Sequence, residues 1–336
     1  MTNENRRSIP FIYKMAASLL VFIGMFILAC LFGAAETTIK DVWLALTTNV
    51  KNETTLMLRE IRFPREVAAI FVGAGLAVSG AIMQGLTRNP LADPGLLGLS
   101  AGANAALAIM IAFLPSANYL LITLACFLGA AAGTVMVFGI GAMTKGGFSP
   151  LRIVLAGAAV SGFLYAVAEG VGIYFKLSKN VSMWTSGGLI GTSWGQLDVV
   201  VPVITVGILI SLLLARHLTI LSLSEEVAVG LGQKITQIKT ILFIVIILLA
   251  GASVALVGNM AFIGLMVPHV VRAMVGTDYR LILPMSAISG AAFMLLADTL
   301  GRTLHSPFET PVAAIVAVMG LPFFLIIVRK GGSVFS

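Results

Sequence analysis

Ten apolar stretches recur along this chain, all but one of them about long enough to cross a bilayer as a helix, and that repetition limits the fold more than any other feature. A hydrocarbon core of about 30 Å takes about 20 helical residues at about 1.5 Å each. Windows of that size place spans at 15–35, 66–86, 95–113, 118–142, 150–174, 196–215, 238–258, 260–271, 281–300 and 311–328. The stretch 238–271 is too long for one helix. Gly258 and Asn259 interrupt it, so it reads as a full span followed by a short one packed inside protein, where irregular backbone is tolerated. The expected fold is an all-α polytopic membrane protein, a single transmembrane domain over 1–336. Composition excludes the alternatives: 59% of the residues are hydrophobic and 10% charged, against about 25% charged in soluble domains. A soluble enzyme, a disordered chain and a disulfide scaffold all fail on that ground. Cys30 and Cys126 both lie in apolar runs, where neither a disulfide framework nor a metal site is expected.

Lys and Arg number 21 against 14 Asp and Glu. With the N-terminus inside, 13 of the 21 fall on the inner side and 8 on the outer, so both termini are expected in the cytoplasm. The excess is read as serving lipid headgroups rather than nucleic acid. Five of the eight outer charges lie between residues 40 and 65, a cluster that needs its own use. Arg6-Arg7 followed by an apolar run and Gly33-Ala34-Ala35 resembles a signal peptide. The run is about 21 residues, longer than a signal core of about 7–15, and it is read as a retained helix.

Small residues recur at helix-contact spacing in Gly73-xxx-Ala77, Gly129-xxx-Gly133 and Gly157-xxx-Ser161. Residues 73–80 (GAGLAVSG) and 251–258 (GASVALVG) share the pattern G-A-x-x-A-x-x-G in spans that cross in opposite directions, the mark of an inverted repeat.

Charge placement bears on the energy source. Glu169 and Asp298 both fall near outer helix ends, and Asp298 has Arg302 at i+4. With no charge near a span centre, a proton relay is not expected. A phosphate loop needs a Gly-Lys pair, which the chain lacks, so ATP hydrolysis would belong to a partner. No nucleophilic or metal constellation points to an enzyme, and His217, His269 and His305 are scattered at span ends. The segment 216–237 joins two spans on the inner side. In it Ser224 caps a short helix with Glu225 and Glu226 in its first turn, Val227, Val229 and Leu231 are apolar, and Gly230 and Gly232 end it. From pattern alone, this is either a plain surface helix or a docking element. A gradient-driven carrier acting alone stays open at this point.

Several motifs occur in order: R-F-P-R (62–65), V-G-A-G-L-A-V-S-G-A-I-M-Q-G-L (72–86), N-P-L-A-D-P-G-L-L-G (89–98), F-I-G-L-M-V-P-H-V-V-R (262–272), G-T-D-Y-R (276–280), L-P (283–284) and L-A-D-T-L-G-R (296–302). Together they resemble the permease family of bacterial iron-siderophore, haem and vitamin B12 ATP-binding-cassette importers, from about residue 58 to 328. The resemblance implies a vitamin B12 importer permease-like fold of ten helices in the bacterial cytoplasmic membrane. It implies a second permease subunit, a paralogue in hydroxamate-type systems, two ATPase subunits and an extracytoplasmic substrate-binding protein. ATP and Mg would be bound by the ATPase, and this chain would carry no cofactor.

The same resemblance assigns residues. Glu225, Glu226, Gly230, Leu231 and Gly232 match the helix that couples to the ATPase. Arg62, Arg65 and Arg302 match arginines that meet carboxylates of the binding protein, a rim that steers docking although each exposed pair is weak. Asn89, Leu91, Phe148 and Ser149 match the inner gate. Residues 183–194 resemble the short helix at the outer mouth, where Trp184 and Trp194 serve either that mouth or as interfacial anchors. Asp93 stands where some relatives have Glu. The 184–194 stretch and the general character of the chain look closest to permeases for ferric hydroxamates; catecholates, haem and cobalamin remain open.

Overall fold

The computed structural model describes residues 10–33, 37–143, 150–186, 188–306 and 308–329. Within them the regular structure is helical: α1 (Phe11–Leu31), α2 (Ile39–Thr47), α3 (Glu53–Met57), α4 (Phe63–Thr87), α5 (Leu99–Phe113), α6 (Tyr119–Met143), α7 (Pro150–Tyr174), α8 (Ser178–Thr185), α9 (Trp194–Leu213), α10 (Ala215–Leu223), α11 (Glu225–Gly230), α12 (Ile235–Val257), α13 (Ile263–Val275), α14 (Tyr279–Thr303) and α15 (Val312–Arg329). Among the described residues seven helical segments are long and apolar enough to span a membrane: α1, the continuous run Glu53–Thr87, α6, α7, α9, α12 and α14. Shorter apolar helices, α5, α13 and α15, complete the bundle. The chain is an all-α polytopic membrane protein.

The spans differ from the windowed reading at their ends. The first helix starts at Phe11, directly after Pro10, and stops at Leu31. The second does not begin at 66 but runs unbroken from Glu53, through a π-helical stretch at Leu58–Arg62. Pro64 accounts for the wider turn. It has no N–H, and its ring would clash with the carbonyl four residues back. The ladder shifts one step, so that the Phe63 N–H donates to Leu58 O.

α4 is the central helix, packed by α14, α12, α13 and α9 and buried along most of its length. Its glycines set the spacing. A Cβ on Gly73 would collide with the backbone of Gly290 in α14, and one on Gly80 with that of Gly264 in α13. Between apolar helices in lipid, such backbone approach and its dispersion contacts drive association. α1 packs on α14 at the edge and leaves most of its surface exposed.

The two echoing segments occupy α4 and the end of α12, which run antiparallel. Arg88, just beyond the end of α4, and Lys239, in the first turns of α12, both pair with Glu225. Each heads a long–short–long series, α4–α5–α6 and α12–α13–α14, in opposite directions. Both short helices begin inside the bundle. α5 follows a half-buried 3-10 turn, Pro94–Leu97, and α13 follows Gly258 (φ 77°) and Phe262 (φ 69°), with Gly264 against α4.

Candidate functional site

Two polar regions sit at opposite ends of this apolar bundle. At the end where α4 begins, three arginines meet three carboxylates. Arg65 is 6% exposed and lies between Asp298 and Glu309: Nε is 3.0 Å and Nη2 2.9 Å from Asp298 Oδ1, while Nη1 is 2.8 Å from Glu309 Oε1. Arg302, 4% exposed, reaches Glu66 Oε1 through Nη2 at 2.6 Å and Asp298 Oδ2 through Nε at 3.0 Å. Arg62, also 4% exposed, donates to Cys30 O at 2.9 Å and Thr37 Oγ1 at 2.6 Å.

The expectation of an exposed arginine rim needs correcting in its geometry. All three side chains are buried: Asp298, Glu309 and Glu66 from the same chain pair with Arg65 and Arg302, while Arg62 lies against Cys30 O and Thr37 Oγ1. The Asp298–Arg302 pair at i+4 is present as the helical period requires. Glu66 and Glu309 were not anticipated. Glu66 directly follows Arg65, but a helix turns successive side chains about 100° apart, so adjacency gives no sign of the partner. Of the remaining outer basic residues, Lys40 and Lys51 are exposed, while Arg59 caps the C-terminal end of α2, donating to Ala45 O at 2.7 Å and also to Thr48 O.

The other end carries α11. Ser224 Oγ accepts from Val227 N at 3.1 Å, Ala228 is buried, and Gly232 closes the turn at φ 74°. Val229 and Leu231 point out, 62% and 64% exposed. Glu225 is held by Lys239 Nζ at 2.6 Å and lies 3.6 Å from Arg88. The Lys239 ammonium, hydrogen-bonded to it, holds its carboxyl below the usual glutamate range. Glu226 and Gly230 are exposed. α10 is tied to the start of α14, since Thr219 Oγ1 donates to Asp278 Oδ1 at 3.2 Å and accepts from Tyr279 N at 3.0 Å. Arg272 donates to Tyr279 Oη at 2.9 Å and Gln84 Oε1 at 3.2 Å, joining α13, α14 and α4.

Asn89 and Leu91 lie at this same end, in the loop after Arg88. Asn89 Oδ1 accepts from Leu91 N at 3.0 Å, an Asx turn that redirects the chain inward. Asp93 Oδ1 accepts from Gly95 N at 2.6 Å and caps the 3-10 turn Pro94–Leu97. Phe148 and Ser149 lie outside the described residues.

The outer-mouth segment closes over the opposite end. Trp194 begins α9 and donates from Nε1 to Arg59 O at 2.9 Å; Trp184, half-buried in α8, shares a small recess with Tyr119 and Leu256. Gly188 N donates to Val257 O at 2.9 Å, and Gln196 Nε2 to Thr123 Oγ1 at 2.9 Å, which fix the segment to α12 and α6.

A relative from Bacillus subtilis (strain 168), the iron(3+)-hydroxamate import system permease protein FhuB, is 39% identical over 95% of this chain and 83% of its own length. From the same organism, the Fe(3+)-citrate import system permease protein YfmD is 36% identical over 98% of each chain. A solved metal-chelate type ABC transporter in an inward-facing conformation superposes with a TM-score of 0.83 at 25% identity, covering 95% of this chain and 99% of the other. The model of the FecCD transport family matches residues 19–330, and the chain belongs to that family.

Proposed function

We propose that this chain is the membrane-spanning permease subunit of an ATP-binding-cassette importer that carries an iron(III)–siderophore complex of the hydroxamate type into the cytoplasm. The observation that carries the reading is α11, a capped helix at one end of the bundle that holds Val229 and Leu231 out of its own core. A helix built this way suits a groove on a partner, and a chain without a phosphate loop needs such a partner for energy. The hydroxamate permease among the relatives supports that cargo; the citrate permease supports the wider class of iron complexes.

In this reading α11 and both termini face the cytoplasm of a bacterial cell. Two ATPase subunits, which bind ATP and Mg, take up Glu225, Glu226, Gly230, Leu231 and Gly232. A substrate-binding protein docks at the Arg62, Arg65 and Arg302 end. A second permease, a paralogue of this chain, completes the path past Trp184 and Trp194 to a gate at Asn89, Leu91, Phe148 and Ser149.

The test is purification from the native membrane in mild detergent, identification of the bound subunits by mass, and reconstitution of that assembly in liposomes. ATP-dependent uptake of a ferric hydroxamate is the expected result. Uptake by this chain alone, driven by an ion gradient, overturns the mechanism. Uptake of haem or cobalamin but not ferric hydroxamate overturns the cargo.

A further inference from the structure

A cavity of about 440 Å³ opens between α5, α7 and α8, at the end of the bundle that carries the outer-mouth segment. That size falls within the roughly 300–1,000 Å³ of small-molecule sites. Its walls are unusual for so apolar a chain, because Asn104, Tyr165, Glu169, Ser178, Ser182 and Thr185 all face it. The backbone builds this polar wall deliberately. Just past the end of α7 Lys176 takes the left-handed region at φ 59°, and Leu177 N donates to Gly172 O at 2.7 Å, a Schellman-type reversal that folds α8 back beside α7. Ser178, Ser182 and Thr185 recur at helical spacing, so one face of α8 lines the cavity.

Asn104 is the deepest polar group. It is 7% exposed, and Thr185 Oγ1 lies 2.7 Å from its Oδ1, which holds one end of the amide. The other end has no hydrogen bond among the described residues and faces the cavity. A buried amide left half-paired calls for a polar ligand or water. Glu169 is the one charged residue of the lining, and no Lys, Arg or His contributes to it among the described residues. Lys176 and Lys179 are exposed nearby but outside the lining, Lys179 being turned about 100° from Ser178 on the helix.

We infer that this cavity is a charge-selecting subsite for the cargo, in which hydroxyl and amide groups bind an oxygen-rich ferric complex and Glu169 favours neutral or cationic complexes over anionic ones. The inference rests on the importer reading and narrows its substrate class. Three hydroxamates balance the charge of iron(III), and a free amine on the ligand makes the complex cationic. Three doubly ionised catecholates leave it strongly anionic. A carboxylate on the wall of that open cavity repels the second kind and attracts the first.

The assembled importer in liposomes, with its binding protein, would be offered three probes: a cationic ferric trihydroxamate, a neutral ferric trihydroxamate and an anionic ferric tris-catecholate. Competition of the cationic against the anionic probe for ATP-driven uptake gives a discrimination ratio, and binding-protein affinity for each probe is measured separately and divided out. Glu169→Lys is expected to lower that corrected ratio by at least about tenfold. Glu169→Gln, which keeps the shape, is expected to lower the preference for the cationic over the neutral trihydroxamate. An unchanged corrected ratio in both variants overturns the subsite. Absence of uptake of all three probes by the unaltered importer overturns the cargo reading itself, so the two failures are distinct.

Discussion

Arg302 Nη2 lies 2.6 Å from Glu66 Oε1, joining residues 236 positions apart where both side chains are buried. Among the described residues the second oxygen of Glu66 has no hydrogen bond, and Arg302 is the one direct partner of the carboxylate. Removing one member of a buried pair strands the other charge, at a cost of about 3–5 kcal/mol. Arg302→Ala is therefore expected to lower the thermal unfolding temperature of the detergent-solubilised chain. Arg302→Met combined with Glu66→Leu is expected to lose less than Arg302→Ala alone, since neither charge is then stranded. Equal losses would show that the pair is not the source of the effect.

Glu309 differs from the other two carboxylates of that cluster. Its side chain is 29% exposed, and it occupies the outward edge of the Arg65 guanidinium, while Asp298 behind it is sealed from solvent. A carboxylate from a docking protein would compete with Glu309 for Arg65. Glu309→Gln is expected to strengthen binding-protein association by up to about fivefold at low salt, the worth of an exposed pair of about 0.2–1 kcal/mol. Arg62→Glu with Arg65→Glu is expected to weaken it. Surface-based affinity measurements on the assembled importer read both, and a weaker complex with Glu309→Gln would contradict the competition.

The sequence disclosed what depends on local periodicity and missed what depends on chain crossings. Ten apolar runs, the interruption at Gly258, the Ser224 cap and the Asp298–Arg302 pair all follow from spacing along one segment. Burial of Arg62, Arg65 and Arg302 did not, because it is fixed by partners distant in the chain: Glu309 for Arg65, Glu66 for Arg302, and Cys30 O and Thr37 for Arg62. Pro64 was in plain view, yet the π turn it requires was not anticipated, since a proline early in a helix ordinarily marks its start. The polar cavity beside Glu169 also went unread. Serines and threonines scattered through 178–186 become one wall only when α8 folds back on α7.

α14 offers a mechanical link between the two ends. It is 25 residues, about 37 Å, and carries Tyr279 beside α10 at one end and Asp298 and Arg302 at the other. α11 packs on α10 and buries Ala228, so a push on α11 is expected to reach the start of α14 through α10. Gly230 has open space where a Cβ would go, and Gly230→Ala is expected to leave transport near the unaltered rate. Gly230→Pro removes an N–H from the last turn and is expected to cut uptake at least about tenfold while the ATPase still turns over. Thr219→Val is expected to weaken the α10–α14 tie and reduce uptake per ATP hydrolysed. Uptake and phosphate release measured on the same liposomes decide the matter; unchanged coupling in both Gly230→Pro and Thr219→Val would refute the link.

The Glu225–Lys239 pair makes the anchoring of α11 sensitive to acid. Lys239 holds the folded-state pKa of Glu225 below the ordinary glutamate value of 4.5. A carboxylate shifted down in this way adds stability that is fully present above that ordinary value and disappears as pH falls through the lowered one. Amide hydrogen exchange in 225–239 is therefore expected to stay slow from neutrality down to about pH 5 and, after correction for intrinsic rates, to lose protection below the ordinary value. In Glu225→Gln the ion pair is absent at every pH, so the same segment should be less protected at neutrality and show no acid step. A variant that keeps the step would assign it to another group, Asp278 being the nearest candidate, because its carboxyl is likewise held down, by Arg280.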